Sequence, residues 1–146
     1  MLITAKGRYA LRLLTCIAQS GTGAKVSLRE VAERESLSMK YLEQVARPLV
    51  QAGLVQSVRG KGGGYRLAKD PGDISAGDVL RAVESTTLPV ACMGLEGAEA
   101  CPRSSACTTV HFWAGLENVI DRYVDGVTLS DLVQSPTSPA DPRISE

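Results

Sequence analysis

The sequence predicts a mainly α-helical fold with one small β-hairpin and a long helix towards its C-terminal end. Short segments with apolar residues every three or four positions follow residues that commonly cap helices. Two strand-like segments flank a glycine-rich loop, and a longer apolar stripe begins after Thr108. Together these observations favour a helical domain that carries a hairpin, followed by a separate long helix.

Three short helices are expected before residue 54. Thr4 can cap the first, and Gly21 ends it. The segment Ser27–Glu30 has the pattern of a capping box, which opens the second helix. Ser38 can cap the third helix, and Gly53 supplies its C-terminal stop. The residues expected to face inward are Ala10, Leu13, Leu14, Ile17, Ala18, Leu28, Val31, Ala32, Leu42, Val45 and Leu49.

Pro48 falls inside the third predicted helix. Proline lacks a backbone N–H, and its ring clashes with the carbonyl four residues earlier. We therefore expect either a kink near Arg47 or a second helical turn that starts at Pro48.

A hairpin is predicted next along the chain. The segments Leu54–Val58 and Tyr65–Ala68 have the composition of strands, and the loop 59–64 between them is basic and rich in glycine. Asp70–Asp73 is expected to form a turn, after which Ser75 can cap a short helix.

The last part of the chain is predicted to be helical again. Thr128 can cap a final short helix over Leu129–Val133. Before it, the long predicted helix has more apolar surface than one small domain can bury, which favours packing against a second copy. Packing on its own domain is the alternative. The stripe consists of Val110, Trp113, Leu116, Ile120 and Tyr123, widened by Val119 and Val124.

The net charge of zero hides a strongly dipolar chain. Residues 1–70 contain 12 Lys or Arg and 5 Asp or Glu, a net charge of +7, whereas residues 71–146 contain 4 and 11, a net charge of −7. A basic half of this kind is typical of a surface that faces nucleic acid. No apolar stretch approaches the roughly 20 residues that a membrane span needs, and we expect a cytoplasmic protein without a membrane partner.

Three short helices followed by a hairpin are typical of a winged helix-turn-helix, and this arrangement predicts binding to double-stranded DNA rather than RNA. The first residues of the third helix then reach base edges in the major groove. Glutamate can accept a hydrogen bond from cytosine, and glutamine can pair with adenine. The candidate DNA-reading residues are Ser38, Lys40, Tyr41, Glu43 and Gln44.

The hairpin loop supplies the remaining candidate DNA contacts, namely Arg59, Lys61, Gly62 and Gly63. Arginine and lysine can bind phosphate, and glycines let a backbone approach a groove closely. The glycines do not form a nucleotide-binding loop, because no GK[ST] ending follows them. A flexible surface hairpin with incidental charge remains the alternative.

Three of the four cysteines and the only histidine lie within twenty residues of one another. The candidate metal ligands are Cys92, Cys101, Cys107 and His111, whereas Cys16 in the first helix is expected to be a buried small side chain. Thiolates suit iron–sulfur clusters or zinc, but the CxxC pairs of a zinc finger are missing. Metal-free thiol chemistry remains open. An enzyme is not expected, because one histidine and no orienting acid leave no nucleophilic catalytic set.

Four segments resemble the IscR- and NsrR-type bacterial regulators of the Rrf2 family. These segments are ITAKGRYALRLL, SLREVAERESLSMKYLEQV, AGLVQSVRGKGGGYRLAKD and ISAGDVLRAVE, and the resemblance covers roughly residues 2–133. It implies a homodimeric winged-helix transcription factor. Two recognition helices related by a two-fold axis then predict a pseudo-palindromic operator. The DNA contacts that it implies are Ser38, Lys40, Tyr41, Glu43 and Arg59.

The same resemblance implies an iron–sulfur cluster on the loop cysteines, with [2Fe–2S] favoured over [4Fe–4S]. Relatives commonly space the three cysteines by five and five residues and place a histidine three positions after the third. Here the gaps are eight and five residues, and His111 is four positions after Cys107, so the identity of the fourth ligand stays open. A cluster of this kind can be absent from protein prepared in air.

The expected organisation has four parts. Residues 1–70 form the DNA-binding domain, and residues 71–106 carry a short helix and the cysteine-bearing sensor loop. Residues 107–134 contain the dimerisation helix and a short terminal helix. Residues 135–146 form a tail that is rich in proline and predicted to be disordered. This organisation predicts a regulator that senses redox state, nitric oxide or iron–sulfur supply, or alternatively a metal-free repressor controlled by thiol oxidation or a protein partner.

Overall fold

The computed structural model describes residues 3–94 and 101–134. It contains six α-helices, two 3-10 helices and one two-stranded antiparallel sheet within these ranges. The predicted class, mainly helical with a small hairpin and a long helix near the end, is confirmed. In chain order the α-helices and strands are α1 (Ala5–Gln19), α2 (Leu28–Glu35), α3 (Met39–Gln51), β1 (Val55–Val58), β2 (Gly64–Leu67), α4 (Ala76–Val83), α5 (Val110–Gly126) and α6 (Leu129–Gln134).

Helices α1 to α3 begin where the capping residues predict. The Thr4 hydroxyl accepts a hydrogen bond from the Lys6 N–H at the start of α1. Ser27 and Glu30 form a complete capping box, because each side chain accepts a bond from the other residue's backbone N–H. Ser38 occupies the N-cap of α3, but within the described residues its hydroxyl makes no capping hydrogen bond. The hydroxyl of Ser38 therefore remains available for contacts outside the helix.

The turn between α2 and α3 depends on a left-handed residue. Ser36 has a φ of 54°, and the Leu37 N–H donates to the Ala32 carbonyl at 3.0 Å. The side chain of Arg12 on α1 reaches this turn, where it pairs with the Glu35 carboxylate at 2.9 Å and also donates to the Glu35 carbonyl. Helix α3 continues through Pro48 to Gln51 as one element, so no new helix begins at the proline.

The hairpin is tied to the helical domain at its base. Strands β1 and β2 pair from Val55 with Leu67 to Val58 with Gly64. Val26, which precedes α2, forms a bridge to Tyr65 with hydrogen bonds of 2.9 and 2.8 Å. The bridge at Val26 therefore holds the hairpin of β1 and β2, called the wing below, in a defined orientation relative to α2.

The C-terminal part of the chain folds back onto the helical domain. The backbone at Ser75 bridges Thr128, and the Leu129 N–H donates to the Ile74 carbonyl at 2.9 Å. Ser75 closes a capping box on α4, and Thr128 makes the equivalent bonds at α6. Because of this bridge, α6 packs against α1 and completes the core.

One apolar core joins the helices and the hairpin. Its fully buried members come from α1, α2, α3, α4, α6, β1 and the segment before α4, and Cys16 is among them as predicted. The largest of these side chains are Leu13, Leu14, Ile17, Leu42, Leu49, Ile74 and Leu129. The predicted turn at Asp70–Asp73 is a 3-10 helix over Pro71–Asp73. None of the described helices combines the length and apolarity that a membrane crossing requires, and the predicted tail, 135–146, lies outside the described residues.

Candidate nucleic-acid interface and cysteine segment

Helix α3 has one buried face and one polar outer face. Leu42, Val45, Ala46 and Leu49 are buried against the core, because they recur at three- and four-residue steps. The five predicted DNA-reading residues, Ser38, Lys40, Tyr41, Glu43 and Gln44, are all exposed. The fold therefore presents this set together at the N-terminal half of α3.

Tyr41 is held by a neighbour on another helix. Its ring contacts the ring of Tyr9 on α1 edge-to-face, with 5.4 Å between centroids and an interplanar angle of 87°. Edge-to-face pairs of this kind contribute about 0.5–1.5 kcal/mol beyond the area they bury. Tyr41 remains 43% exposed, so its ring is positioned by α1 and still faces solvent. Tyr9 was not predicted from the sequence, because its contact with Tyr41 depends on the packing of α1 against α3.

The tip of the wing is exposed at Arg59, Lys61 and Gly62. Gly62 has a φ of 75°, which a residue without Cβ adopts readily. Gly63 is half-buried, and its N–H donates to the Gly60 carbonyl at 2.9 Å. A Cβ at Gly63 would collide with the Val58 carbonyl, so the hairpin itself requires glycine at that position.

A groove between α1 and α3 adds two basic residues to this surface. The groove has a volume of about 530 Å³ and is lined by Lys6, Lys40, Glu43, Gln44 and Arg47. Lys6 and Arg47 were not among the predicted contacts. Arg47 could have been found from its spacing, because it follows Lys40 and Gln44 on the same face of α3. Lys6 could not, because only tertiary packing brings α1 beside α3.

Glu84 connects the end of α4 to the first turn of α1. Its Oε1 atom accepts hydrogen bonds from the Thr4 N–H at 2.9 Å, the Thr4 hydroxyl at 2.9 Å and the Gly7 N–H at 3.0 Å. A Cβ on Gly7 would lie 2.5 Å from that oxygen, so only glycine allows this approach. The carboxylate thus satisfies N–H groups that a helix start leaves without partners.

The cysteine segment, which runs from Cys92 to His111, follows Glu84 along the chain. Cys92 is exposed in the second 3-10 helix, Ala91–Gly94, whereas Cys101 and Cys107 are half-buried. His111 is exposed in the first turn of α5. Each of these three cysteines, all within the described ranges, is a free thiol.

Cys107 is electrostatically distinct. Its Sγ lies 3.3 Å from the Thr109 hydroxyl oxygen. Hydrogen bonds from that hydroxyl and from the backbone N–H groups of Thr109 and Val110 lower the pKa of the Cys107 thiol below its ordinary value. The start of α5 therefore favours the thiolate, which is the form that binds metal. Burial has the opposite effect at Cys16, where it raises the pKa of the thiol.

The donor chemistry of the segment fits an iron–sulfur cluster, since it offers three unpaired thiols and one imidazole. Across residues 3–94 and 101–134, however, no three His, Cys, Asp or Glu side chains converge on a common point that could hold a metal. The structure therefore supplies the donors but does not assemble them into one ligand set.

Helix α5 packs on α4 and leaves much of its apolar surface exposed. Arg81 on α4 pairs with Asp125 at 2.6 Å and lies 3.8 Å from Asp121. None of the α5 residues, all of which the structure describes, is fully buried. Phe112 is 63% exposed and Val119 is 56% exposed. Of the predicted stripe, Val110, Trp113 and Ile120 are half-buried, and Leu116 and Tyr123 are exposed.

Comparison with known proteins decides the family. The sequence profile of Rrf2, described as iron-dependent transcriptional regulators, matches residues 3–135. The chain belongs to the Rrf2 family. The predicted resemblance is therefore confirmed, and this Rrf2 protein is a DNA-binding transcriptional regulator and not an enzyme.

The relatives of this Rrf2 protein include regulators named IscR and CymR. The HTH-type transcriptional regulator IscR of Aliivibrio salmonicida is 39% identical over 133 residues, which cover 91% of this chain and 77% of that protein. A solved structure of T. potens IscR has 32% identity and a TM-score of 0.74, covering 97% of this chain and 95% of that one. CymR, the global cysteine regulator of B. subtilis, has 34% identity and a TM-score of 0.69, covering 92% and 97%.

Proposed function

We propose that this chain is a homodimeric Rrf2 regulator whose DNA affinity is controlled by an iron–sulfur cluster on its cysteine segment. One observation carries the proposal. The three accessible thiols lie in the single connection between α4, which is bonded to the DNA-reading domain, and α5, which exposes an apolar face. A change in that connection acts on both of its neighbours.

The DNA-reading role belongs to the N-terminal half of α3 and to the wing. Ser38, Lys40, Tyr41, Glu43 and Gln44 would meet base edges and adjacent phosphates in the major groove. Support comes from their common exposure on a helix whose other face is buried. The wing would place Arg59, Lys61, Gly62 and Gly63 against the neighbouring backbone, with the two charged residues binding phosphate.

The cluster would be held by Cys92, Cys101 and Cys107, with His111 as the candidate fourth ligand. A bound cluster would supply a centre that is sensitive to oxidants, nitric oxide and iron supply. The lowered pKa of Cys107 supports its role, because less free energy is needed to deprotonate that ligand. The resemblance to IscR-type regulators favours a [2Fe–2S] over a [4Fe–4S] cluster.

Dimerisation would occur through α5. Phe112, Leu116 and Val119 are exposed apolar side chains on this helix, and a second copy of α5 would remove them from water. A two-fold dimer presents two α3 helices about 34 Å or a multiple apart. We therefore propose a pseudo-palindromic operator of double-stranded DNA, read in the cytoplasm.

The division of the chain follows from these assignments. Residues 1–70 would read DNA, residues 71–106 would carry the sensor loop, and residues 107–134 would form the dimer. The contacts that couple these parts include the bonds of Glu84 to the start of α1, the ion pair of Arg81 with Asp125 and the backbone bridge between Ser75 and Thr128.

Anaerobic purification tests the cluster. We expect visible absorption with bound iron and sulfide, and Cys92→Ala, Cys101→Ala and Cys107→Ala should each abolish the absorption and change operator affinity. Cys16→Ala is the matched control, because this cysteine is buried in the core. The proposal fails if anaerobic wild-type protein is colourless, or if the three loop variants bind DNA as the wild type does.

A second candidate is a metal-free regulator controlled by thiol oxidation. Two observations favour it. Hydrogen bonds stabilise the thiolate of Cys107, and no group of three metal-binding side chains is found among the described residues. In that case metal-free protein would bind the operator fully, and a mild oxidant would change its affinity. Cys107→Ala would abolish the response to the oxidant, and Cys16→Ala would not.

A further inference from the structure

We propose that the groove between α1 and α3 is a binding site for a backbone phosphate of DNA, with Lys6 and Arg47 as its principal ligands. The inference deepens the proposed function and rests on it. The base-reading residues lie on α3. The groove would add two contacts to the phosphate backbone of DNA, one from Lys6 on α1 and one from Arg47 further along the outer face of α3.

The groove carries an excess of positive charge. Three of the five lining residues, Lys6, Lys40 and Arg47, are cations, and Glu43 is the only carboxylate among them. All five lining residues are exposed. Throughout the part of the chain that the structure describes, none of the three cations forms an ion pair. A concave surface with unneutralised positive charge attracts anions.

The backbone at Lys6 and Arg47 is held in place by neighbouring contacts. Lys6 lies in the first turn of α1, where the Thr4 hydroxyl accepts its N–H at 3.2 Å. Glu84 holds the same turn through Thr4 and Gly7. Arg47 projects from α3, which is anchored by its buried face. Both ligands therefore start from fixed backbone, which reduces the entropy lost on binding.

The residues beside the groove indicate which anion it binds. The groove shares Lys40, Glu43 and Gln44 with the predicted base-reading set. When these residues face the major groove, the adjoining cations face the phosphate backbone that borders it. Arginine can bind two phosphate oxygens with its planar fork, and lysine acts as a compact point charge. A duplex backbone therefore fits this groove.

Fluorescence anisotropy of the full chain with a labelled duplex, enriched from genomic fragments by the wild type, tests the site. Lys6→Ala and Arg47→Ala should each weaken binding about tenfold. The loss should be equal for the enriched duplex and a scrambled one. The slope of log affinity against log salt should fall by about 0.9 for each variant. Lys25→Ala, which removes an exposed lysine outside the groove, is the matched control and should change both quantities less.

The outcomes distinguish failure of the groove as a phosphate site from failure of the proposed function. If Arg59→Ala weakens binding while both groove variants keep the wild-type affinity and salt slope, the groove is not a phosphate site and the proposed function stands. If Lys25→Ala has the same effect as the groove variants, only the general positive field acts and the site is refuted. If the wild type prefers no genomic fragment over scrambled duplex, the proposed function fails and the groove proposal fails with it.

Discussion

Replacement of Glu84 by alanine should destabilise the start of α1. The carboxylate accepts hydrogen bonds at 2.9–3.0 Å from three donor groups, namely the Thr4 N–H, the Thr4 hydroxyl and the Gly7 N–H. Hydrogen bonds to a charged group contribute about 1.5–3 kcal/mol, and a carboxylate at a helix N-terminus adds about 0.3–1 kcal/mol. Most of these bonds are exposed, so water replaces part of what is lost. We expect a net cost of about 2 kcal/mol for Glu84→Ala.

Glu84→Gln should cost about half as much, because the amide keeps one acceptor oxygen and loses the charge. Gly7→Ala should cost at least as much as Glu84→Ala, since its new Cβ would lie 2.5 Å from the Glu84 carboxylate, 2.8 Å from the Ile3 side chain and 3.0 Å from the Leu80 side chain. Both changes remove the contact of the carboxylate with the start of α1, so the double variant should be destabilised by less than the sum of the two single variants.

Urea unfolding followed by circular dichroism measures these differences. With a slope of about 2 kcal/mol per molar urea, Glu84→Ala should lower the midpoint by about 1 M. Glu33→Ala is the matched control, because this carboxylate is exposed on α2 and has no partner among the described residues. Equal midpoints for Glu84→Ala and Glu33→Ala, or additive effects of Glu84→Ala and Gly7→Ala, would refute the reasoning.

Three other predictions concern the dimer, acid stability and the wing. Val119→Glu should convert the dimer to a monomer in light scattering, because the carboxylate would be buried without a partner; a persistent dimer would exclude this face of α5. The Ser27 backbone N–H lowers the pKa of Glu30, so the carboxylate stabilises the fold above its ordinary pKa and loses this effect as the pH falls through the lowered value. The melting-temperature difference between wild type and Glu30→Gln should shrink on acidification, and a constant difference would contradict the assignment. Gly63→Ala should cost about 1–3 kcal/mol in urea unfolding and Gly62→Ala about 1 kcal/mol, because only the first meets backbone; equal costs would argue against the hairpin geometry.

Much of the local structure could be predicted from short patterns. Ser27, Ser75 and Thr128 each precede an acidic residue by three positions, and each closes hydrogen bonds with that residue at a helix start. Such bonds span less than one helical turn, so the chain order alone reveals them. The exception is Ser38, where serine occupies the N-cap without a capping bond.

The candidate DNA surface was predicted only in part. The exposed set on α3 follows from helical spacing, because Leu42, Val45 and Leu49 determine which face is buried. Tyr9 and Lys6 were missed, because each joins the surface through the packing of α1 on α3. The ligand set of the cysteine segment was predicted by residue type, and that prediction awaits the anaerobic experiment.

By itself the sequence determined the family, the helical periods, the caps and the basic half, since each is encoded in neighbouring residues or in composition. Only the tertiary structure decided that Glu84 meets Thr4, that Lys6 lines the α3 groove and that Ser75 bridges Thr128. The physical reason is the distance along the chain. Each of these contacts joins segments separated by tens of residues, and it forms only after the apolar core has brought the helices together.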